Sequence, residues 1–215
     1  MSKTVYSIVL DDDIIRAIDI MAAQERTSRS NMINRILAQH ISVPTVETII
    51  NDIYSSINEL LTGHNSLAVQ LLGNGSMINM RSALQYKYNP SVRYSVEIFE
   101  NSAYSGQLKV SLRSQNRTLI SLLDSFFYLW SQLEMQCCNI KGNEFTFGNG
   151  KYARLYRPVS SLSHSEYGRQ IAEYVNLMDS CMKKYFETIS VSQAKAVQTV
   201  TKLYLDNITD ELCRI

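Results

Sequence analysis

Residues 3–10 read Lys-Thr-Val-Tyr-Ser-Ile-Val-Leu, and the fold prediction for this chain begins from their alternation. A period of two is typical of a β-strand. The two faces of this strand hold Tyr6, Ile8 and Leu10 on the core side and Lys3, Val5, Ser7 and Val9 on the other. Two helical patterns follow directly, so no neighbouring strand can satisfy its backbone groups. The simplest partner is a second copy of the chain, paired as an antiparallel ribbon.

Two amphipathic helices are predicted after the strand. Asp11 is expected to cap the first helix, with Asp12 and Asp13 in its first turn, near the positive end of the helix dipole. Its apolar stripe consists of Ile14, Ala17, Ile18, Met21 and Ala22. The second helix opens at Ser28-Arg29-Ser30, ends before Pro44, and has its apolar residues at Met32, Ile33, Ile36, Leu37 and Ile41.

This order of strand, helix, turn and capped helix resembles the ribbon-helix-helix family of DNA-binding dimers, the Arc, MetJ and CopG type, over residues 3–43. The resemblance implies that the paired strands enter the DNA major groove. It also implies two sets of contacts: Lys3, Val5, Ser7 and Val9 facing the bases, and Ser28, Arg29 and Ser30 holding a phosphate at free helix amides. Simple N-capping by Ser28 is the structural alternative.

Two features depart from the family pattern. Arg26 stands near the end of the first helix, where the family often has glycine; it would cost stability if a left-handed residue is needed there. The face of Val5, Ser7 and Val9 offers contacts to thymine methyl groups and one hydroxyl. Arg, Lys, Asn and Gln read bases more strongly, because they can form paired hydrogen bonds to base edges.

Composition indicates a folded protein with balanced charge. The 215 residues are 45% hydrophobic and 19% charged, with a net charge of +1. Residues 1–44 carry five basic and five acidic side chains, and residues 91–160 carry eight and five, a net of +3. We expect a cytoplasmic protein without a signal peptide or membrane span. Its four cysteines, Cys137, Cys138, Cys181 and Cys213, are expected to be reduced thiols.

Residues 44–215 are predicted to form a second, mixed α+β domain, with the boundary after residue 43. The spacing of Val46, Ile50, Ile53, Ile57 and Leu60 predicts either a short coiled coil or a helix packed within the chain. Weaker helical character continues over 77–86. Two β-hairpins are predicted, at 92–113 and 144–157, the second around an Asn-Gly turn. Further helices are expected at 118–136, 165–187 and 192–205, the first being the central core helix.

A second basic surface is considered at Lys151, Arg154 and Arg157, where cations alternate with tyrosines. Such a strand could track phosphates or single-stranded nucleic acid. The alternative is a half-buried strand with tyrosines inside and arginines directed outward. No arrangement of His, Cys, Asp or Glu indicates a metal site, a cofactor or a catalytic centre, so we expect no metal, no cofactor and no enzyme activity.

The sequence therefore predicts an α+β protein that binds double-stranded DNA as a homodimer or higher oligomer. Transcriptional repression, in a prokaryotic, phage or plasmid setting, is the leading hypothesis. One alternative is a plasmid partition or conjugation accessory protein that coats repeated sites. Another is an interaction protein that uses the ribbon-helix-helix unit only to dimerise. The C-terminal domain would add oligomer contacts or bind an effector or protein partner.

Overall fold

The computed structural model describes residues 5–41, 46–62, 67–71, 77–99, 102–158 and 162–215. The chain divides into two compact units, Met1–Ile49 and Ile50–Ile215. The boundary predicted after residue 43 falls outside the described residues, as does Lys3. The chain is a mixed α+β protein, as predicted, with an antiparallel sheet that follows a helical N-terminal region.

The first unit contains two helices, α1 (Asp12–Gln24) and α2 (Arg29–His40). The strand predicted for residues 3–10 is not formed: residues 5–11 lie in no helix or strand. The physical reason is that a strand is held by hydrogen bonds to a neighbouring strand, and the described single chain offers this segment none. The ribbon itself is therefore absent from the single chain.

The turn between α1 and α2 is a Schellman motif with arginine in the left-handed position. The amide of Thr27 donates to the carbonyl of Ala22 (2.9 Å), and the amide of Arg26 donates to Ala23 (3.3 Å). Arg26 has a φ of 52°, a conformation that glycine adopts more readily than residues with a Cβ. Arg26 therefore has the left-handed backbone for which a cost in stability was predicted.

The second unit is built on one six-stranded antiparallel sheet. Its strands lie in the order β1-β2-β3-β4-β6-β5. Their bounds are β1 Ala68–Leu71, β2 Met77–Ala83, β3 Ser91–Ile98, β4 Gly106–Leu112, β5 Phe145–Gly148 and β6 Lys151–Tyr156. The remaining helices are α3 Val46–Thr62, whose first four residues are assigned to the first unit, α4 Arg117–Cys137, α5 His164–Ile189 and α6 Gln193–Asn207, followed by a 3-10 helix at Leu212–Arg214.

The two predicted hairpins exist, as β3–β4 and β5–β6, but they are not separate elements. Pairing of β4 with β6 joins them into one sheet. The prediction of a helix over residues 77–86 is wrong, because Met77–Ala83 is strand β2. Ile78, Met80 and Ser82 of this strand are buried. Alternate burial along a strand needs a paired neighbour, and β3 supplies it along the whole length of β2.

Helices cover one face of the sheet, and α4 lies at the centre of this core, as predicted. Phe126, Phe127 and Trp130 of α4 are fully buried. The stripe of α3 packs within the chain rather than forming a coiled coil, since Ile53 and Ile57 are buried. A Cβ built on Gly168 of α5 would lie 2.4 Å from the carbonyl oxygen of Ile53, so α3 and α5 meet at backbone distance.

The expectation of four reduced thiols is wrong for one pair. Cys138, just after α4, forms a disulfide with Cys213 in the 3-10 helix, across a sequence separation of 75 residues. Sequence alone could not identify this pair, because the fold brings these two distant residues together. Cys137 is a free, exposed thiol and Cys181 is a free, buried one.

Candidate nucleic-acid interface

The segment predicted to read DNA is exposed on both of its faces. Val5 and Val9, expected to face the bases, are fully exposed. On the opposite face Tyr6 and Ile8 are 83% and 57% exposed, although they were predicted to be core residues. Leu10 alone of that face packs against the core of the first unit. The single chain lacks the second layer that would cover the other two.

The core of the first unit is small. Ile18, Ala22 and Met32 form its buried cluster, with Leu10 and other apolar side chains packed against it. A larger set of apolar side chains in this unit is exposed: Val5, Tyr6, Ile8, Val9, Ile14, Ile20, Met21, Leu37 and Ile41. The predicted apolar stripes of α1 and α2 are thus only partly covered. Large exposed apolar patches usually mark interaction sites, and these side chains are the candidates for one in this unit.

The start of α2 has the capped geometry that the sequence predicts. The hydroxyl oxygen of Ser28 accepts a hydrogen bond from the amide of Asn31 at 3.2 Å, and the Ser28 backbone is extended. The amides of Arg29 and Ser30 lie in the first turn, where a helix offers them no carbonyl partner. These residues meet at one exposed point, which could accept an anion.

Arg29 is not free at this point. Its Nε and Nη2 atoms each donate to the carboxylate of Asp19 on α1 at 2.6 Å, in a two-pronged ion pair. The hydrogen bond from Arg29 lowers the pKa of Asp19, and the same contact raises the pKa of Arg29. A phosphate would have to share or displace Asp19. Sequence reasoning missed this carboxylate, since nothing in a ten-residue separation indicates the pairing.

The proposed second basic surface does not exist as predicted. Lys151 is exposed, but Arg154 is buried and its guanidinium pairs with Glu134 of α4. Arg157 pairs with Glu144 at 2.7 Å and donates to the backbone oxygen of Asn139. The reason is the period of a strand. Tyr152, Arg154 and Tyr156 share the helix-covered face of β6, so neither predicted alternative, phosphate tracking or outward-directed arginines, describes Arg154.

Other cations take the exposed positions instead. Arg81 of β2 and Arg93 of β3 lie on the uncovered face of the sheet, the same face as Lys151. Sequence reasoning missed Arg81 because residues 77–86 were interpreted as helical. The alternation of side-chain character along Met77–Ala83 could have indicated a strand. That pattern can be interpreted only when the pairing strand β3 is known.

Comparisons with protein-family models, with curated proteins and with solved structures give no match to this chain. In the described part of the chain, no three His, Cys, Asp or Glu side chains are grouped so that they could hold a metal ion. Across the same residues, no helix is both long enough and apolar enough to cross a membrane.

Proposed function

We propose that this chain is a DNA-binding protein that acts as a dimer of the ribbon-helix-helix type. One observation carries the proposal: an exposed, alternating segment at residues 5–10 precedes two helices whose shared buried cluster is small. Units of about 40 residues are seldom stable without oligomerisation or another reinforcement. A second copy would pair the two segments as a ribbon and cover the apolar side chains of α1 and α2.

The ribbon would place Val5, Ser7 and Val9 on the face directed at DNA, with Lys3 at its start. This face makes thymine-methyl contacts and one hydroxyl hydrogen bond per strand, so base discrimination is modest. Orientation on the duplex then depends on the start of α2. The amides of Arg29 and Ser30, with the guanidinium of Arg29, would hold a phosphate beside the groove.

The biological activity that fits this binding mode is transcriptional repression at a palindromic or repeated operator. The two-fold symmetry of the dimer favours such a site, because each half of a symmetric ribbon meets equivalent base pairs. A partition or conjugation accessory protein would use the same ribbon-helix-helix unit to bind arrays of repeated DNA sites. The two activities separate by cooperativity: accessory proteins would coat long repeats in an all-or-none fashion.

The first experiment selects binding sites from random duplex DNA and titrates an enriched duplex against salt. An enriched palindrome or repeat, with affinity falling steeply as salt rises, is the expected result. The Arg29→Pro variant tests the phosphate contact, because proline fits the first helical position and Ser28 already has the extended backbone that must precede it. It removes one amide and the guanidinium and should weaken binding to every sequence about tenfold.

Two further variants complete this design. Arg16→Ala is the matched control, since Arg16 is an exposed cation of α1 that pairs with Asp13; its affinity should stay within about twofold. Ser7→Pro removes an amide that only a ribbon would use. It should abolish the dimer in sedimentation equilibrium, whereas Ser7→Ala should not. A dimer that survives Ser7→Pro would eliminate the ribbon.

A second candidate function follows from the apolar ribbon face and the Asp19–Arg29 pair. Val5 and Val9 can contact protein as well as DNA. The guanidinium of Arg29, which would otherwise bind phosphate, is already paired with Asp19. In this reading the first unit only dimerises the chain. An intact dimer without any enriched DNA sequence would favour it over the repressor.

A further inference from the structure

The uncovered face of the sheet carries a row of three cations and one serine across four adjacent strands. Strand register pairs Arg81 of β2 with Arg93 of β3, Arg93 with Ser111 of β4, and Ser111 with Lys151 of β6. Adjacent strands are about 4.8 Å apart, so the row spans about 14 Å. Paired residues share a face, and these four therefore point to the same side of the sheet.

That side faces solvent. The neighbours of the row along each strand are buried under the helices, including Met80, Tyr94 and Tyr152. By contrast Arg81, Arg93 and Lys151 are exposed, and Ser111 is half-buried. In a strand successive side chains alternate between faces, so the cations cannot turn back into the core without a change of register.

Within the part of the chain that the structure describes, no carboxylate neutralises this row. Among the described residues, none of Arg81, Arg93 and Lys151 forms an ion pair with a carboxylate. The acid of this face, Glu97, is held by Gln107 at 2.8 Å and Lys109 at 3.3 Å. It lies four residues along β3 from Arg93, about 13 Å away. Like charges directly opposite each other on a sheet are destabilising, and Arg81 and Arg93 are such a pair.

A local arrangement that opposes stability without an evident structural gain is typical of a functional site. We propose that this row, Arg81, Arg93, Ser111 and Lys151, binds the phosphate backbone of double-stranded nucleic acid without reading its sequence. The inference goes beyond the proposed function, because it concerns the second unit and does not depend on the ribbon.

The chemistry of the face favours nucleic acid over an acidic protein. Around the row the outward positions hold Asn79, Ser95, Lys109 and Thr146, residue types that contact phosphates and sugars. Protein interfaces instead have a core enriched in aromatic residues and depleted in Lys and Ser. The outward positions of the described strands include no aromatic residue, which also argues against stacking of single-stranded bases.

The test measures binding of the full chain to a random-sequence 24-base-pair DNA duplex at several salt concentrations. The sheet variant combines Arg81→Gln, Arg93→Gln and Lys151→Gln. Three lost phosphate contacts should reduce the slope of log affinity against log salt by about 2.7 and weaken binding at least about tenfold. The matched control removes three exposed cations from the helical side, Arg169→Gln, Lys195→Gln and Lys202→Gln. It should change the slope by less than half as much.

Both triple variants are also made in the Ser7→Pro background, which separates this site from the ribbon. A slope reduction specific to the sheet variant in both backgrounds supports the proposal, even if the ribbon hypothesis fails. Equal effects of the two triple variants in the Ser7→Pro background, or no duplex binding at all, would overturn it. Binding of poly-glutamate in preference to DNA and RNA duplexes would overturn it in favour of an acidic protein partner. Thermal unfolding confirms that each variant is folded.

Discussion

Arg154 and Glu134 form an ion pair in the core of the second unit, with 3.1 Å between Nη1 and Oε1 and neither side chain exposed. Glu134 also accepts hydrogen bonds from the hydroxyls of Tyr152 (2.5 Å) and Tyr174 (2.6 Å). Arg154 donates from Nη2 to the backbone oxygen of Ile215 at 2.6 Å. Burial is the largest single effect and acts to lower the pKa of Arg154, but the charge of Glu134 together with the neighbouring tyrosines Tyr174, Tyr152 and Tyr156 raises it overall.

Replacing one partner of this ion pair should reduce the free energy of unfolding much more than replacing both. Arg154→Met leaves the carboxylate of Glu134 buried without a cation, and we expect it to cost about 3–5 kcal/mol of unfolding free energy. The double variant Arg154→Met with Glu134→Gln removes the unpaired buried charge and keeps one acceptor oxygen for the two tyrosine hydroxyls, so it should recover more than half of that cost. Urea unfolding of the single and double variants measures the coupling. Strictly additive losses would contradict it.

Acid sensitivity should arise in part from Glu144. Hydrogen bonds from Arg157 lower the pKa of Glu144 from 4.5 to about 2, against an opposing effect of burial. A carboxyl group with a depressed pKa stabilises the fold above its unfolded pKa and loses that contribution as pH falls through the folded one. We expect roughly 2–3 kcal/mol to be lost between pH 4.5 and about 2. In Glu144→Gln the free energy of unfolding should depend less steeply on pH over this range, and unfolding measured between pH 4.5 and about 2 would reveal the difference.

The disulfide between Cys138 and Cys213 should stabilise the chain mainly by restricting the unfolded state. It closes a loop with a separation of 75 residues, for which chain entropy predicts about 4.5 kcal/mol, and measured values are commonly about 2–4 kcal/mol. Cys213→Ser should lower the free energy of unfolding by about 2–4 kcal/mol in oxidising buffer. Cys137→Ser is the control: its thiol is exposed and free, so stability should stay within about 0.5 kcal/mol. Equal stability of wild type and Cys213→Ser in oxidising buffer would count against the bond.

Arg26→Gly should stabilise the first unit. The left-handed backbone of Arg26 costs about 1 kcal/mol for a residue with a Cβ, partly offset by the greater freedom of glycine in the unfolded chain. We expect a net gain of about 0.5 kcal/mol, seen as slower hydrogen exchange in α1 and α2. Ala23→Gly, at an exposed helical position of α1, should instead destabilise by about 1 kcal/mol. Faster exchange in Arg26→Gly would show that its backbone does not require the left-handed region.

Local patterns predicted the elements that depend on local interactions. The helical periodicity around Phe126 and Trp130 indicated α4, and Ser28 indicated the start of α2. The Asn-Gly turn at Asn149-Gly150 indicated the β5–β6 hairpin, where Asn149 and Gly150 have positive φ. Each of these features is specified by residues within a few positions of one another, so sequence spacing is sufficient to recognise it.

Long-range contacts were decided by the tertiary structure. Arg154 was predicted at a surface and is buried because β4 and α4 surround its strand, with a carboxylate 20 residues away in sequence as its partner. Residues 77–83 became a strand only through pairing with β3. The cation row is completed only because β4 pairs with β6, which places Lys151 beside strands from an earlier part of the chain.

Local sequence was sufficient to predict the starts of α2 and α4, the turn at Asn149-Gly150 and the alternation of residues 5–10, since backbone geometry and side-chain period are local properties. Tertiary structure decided which carboxylates neutralise Arg29, Arg154 and Arg157, and which cations have no such partner among the described residues. The physical reason is that ion pairing and burial depend on distances between chain segments, and those distances are set only when the segments pack together.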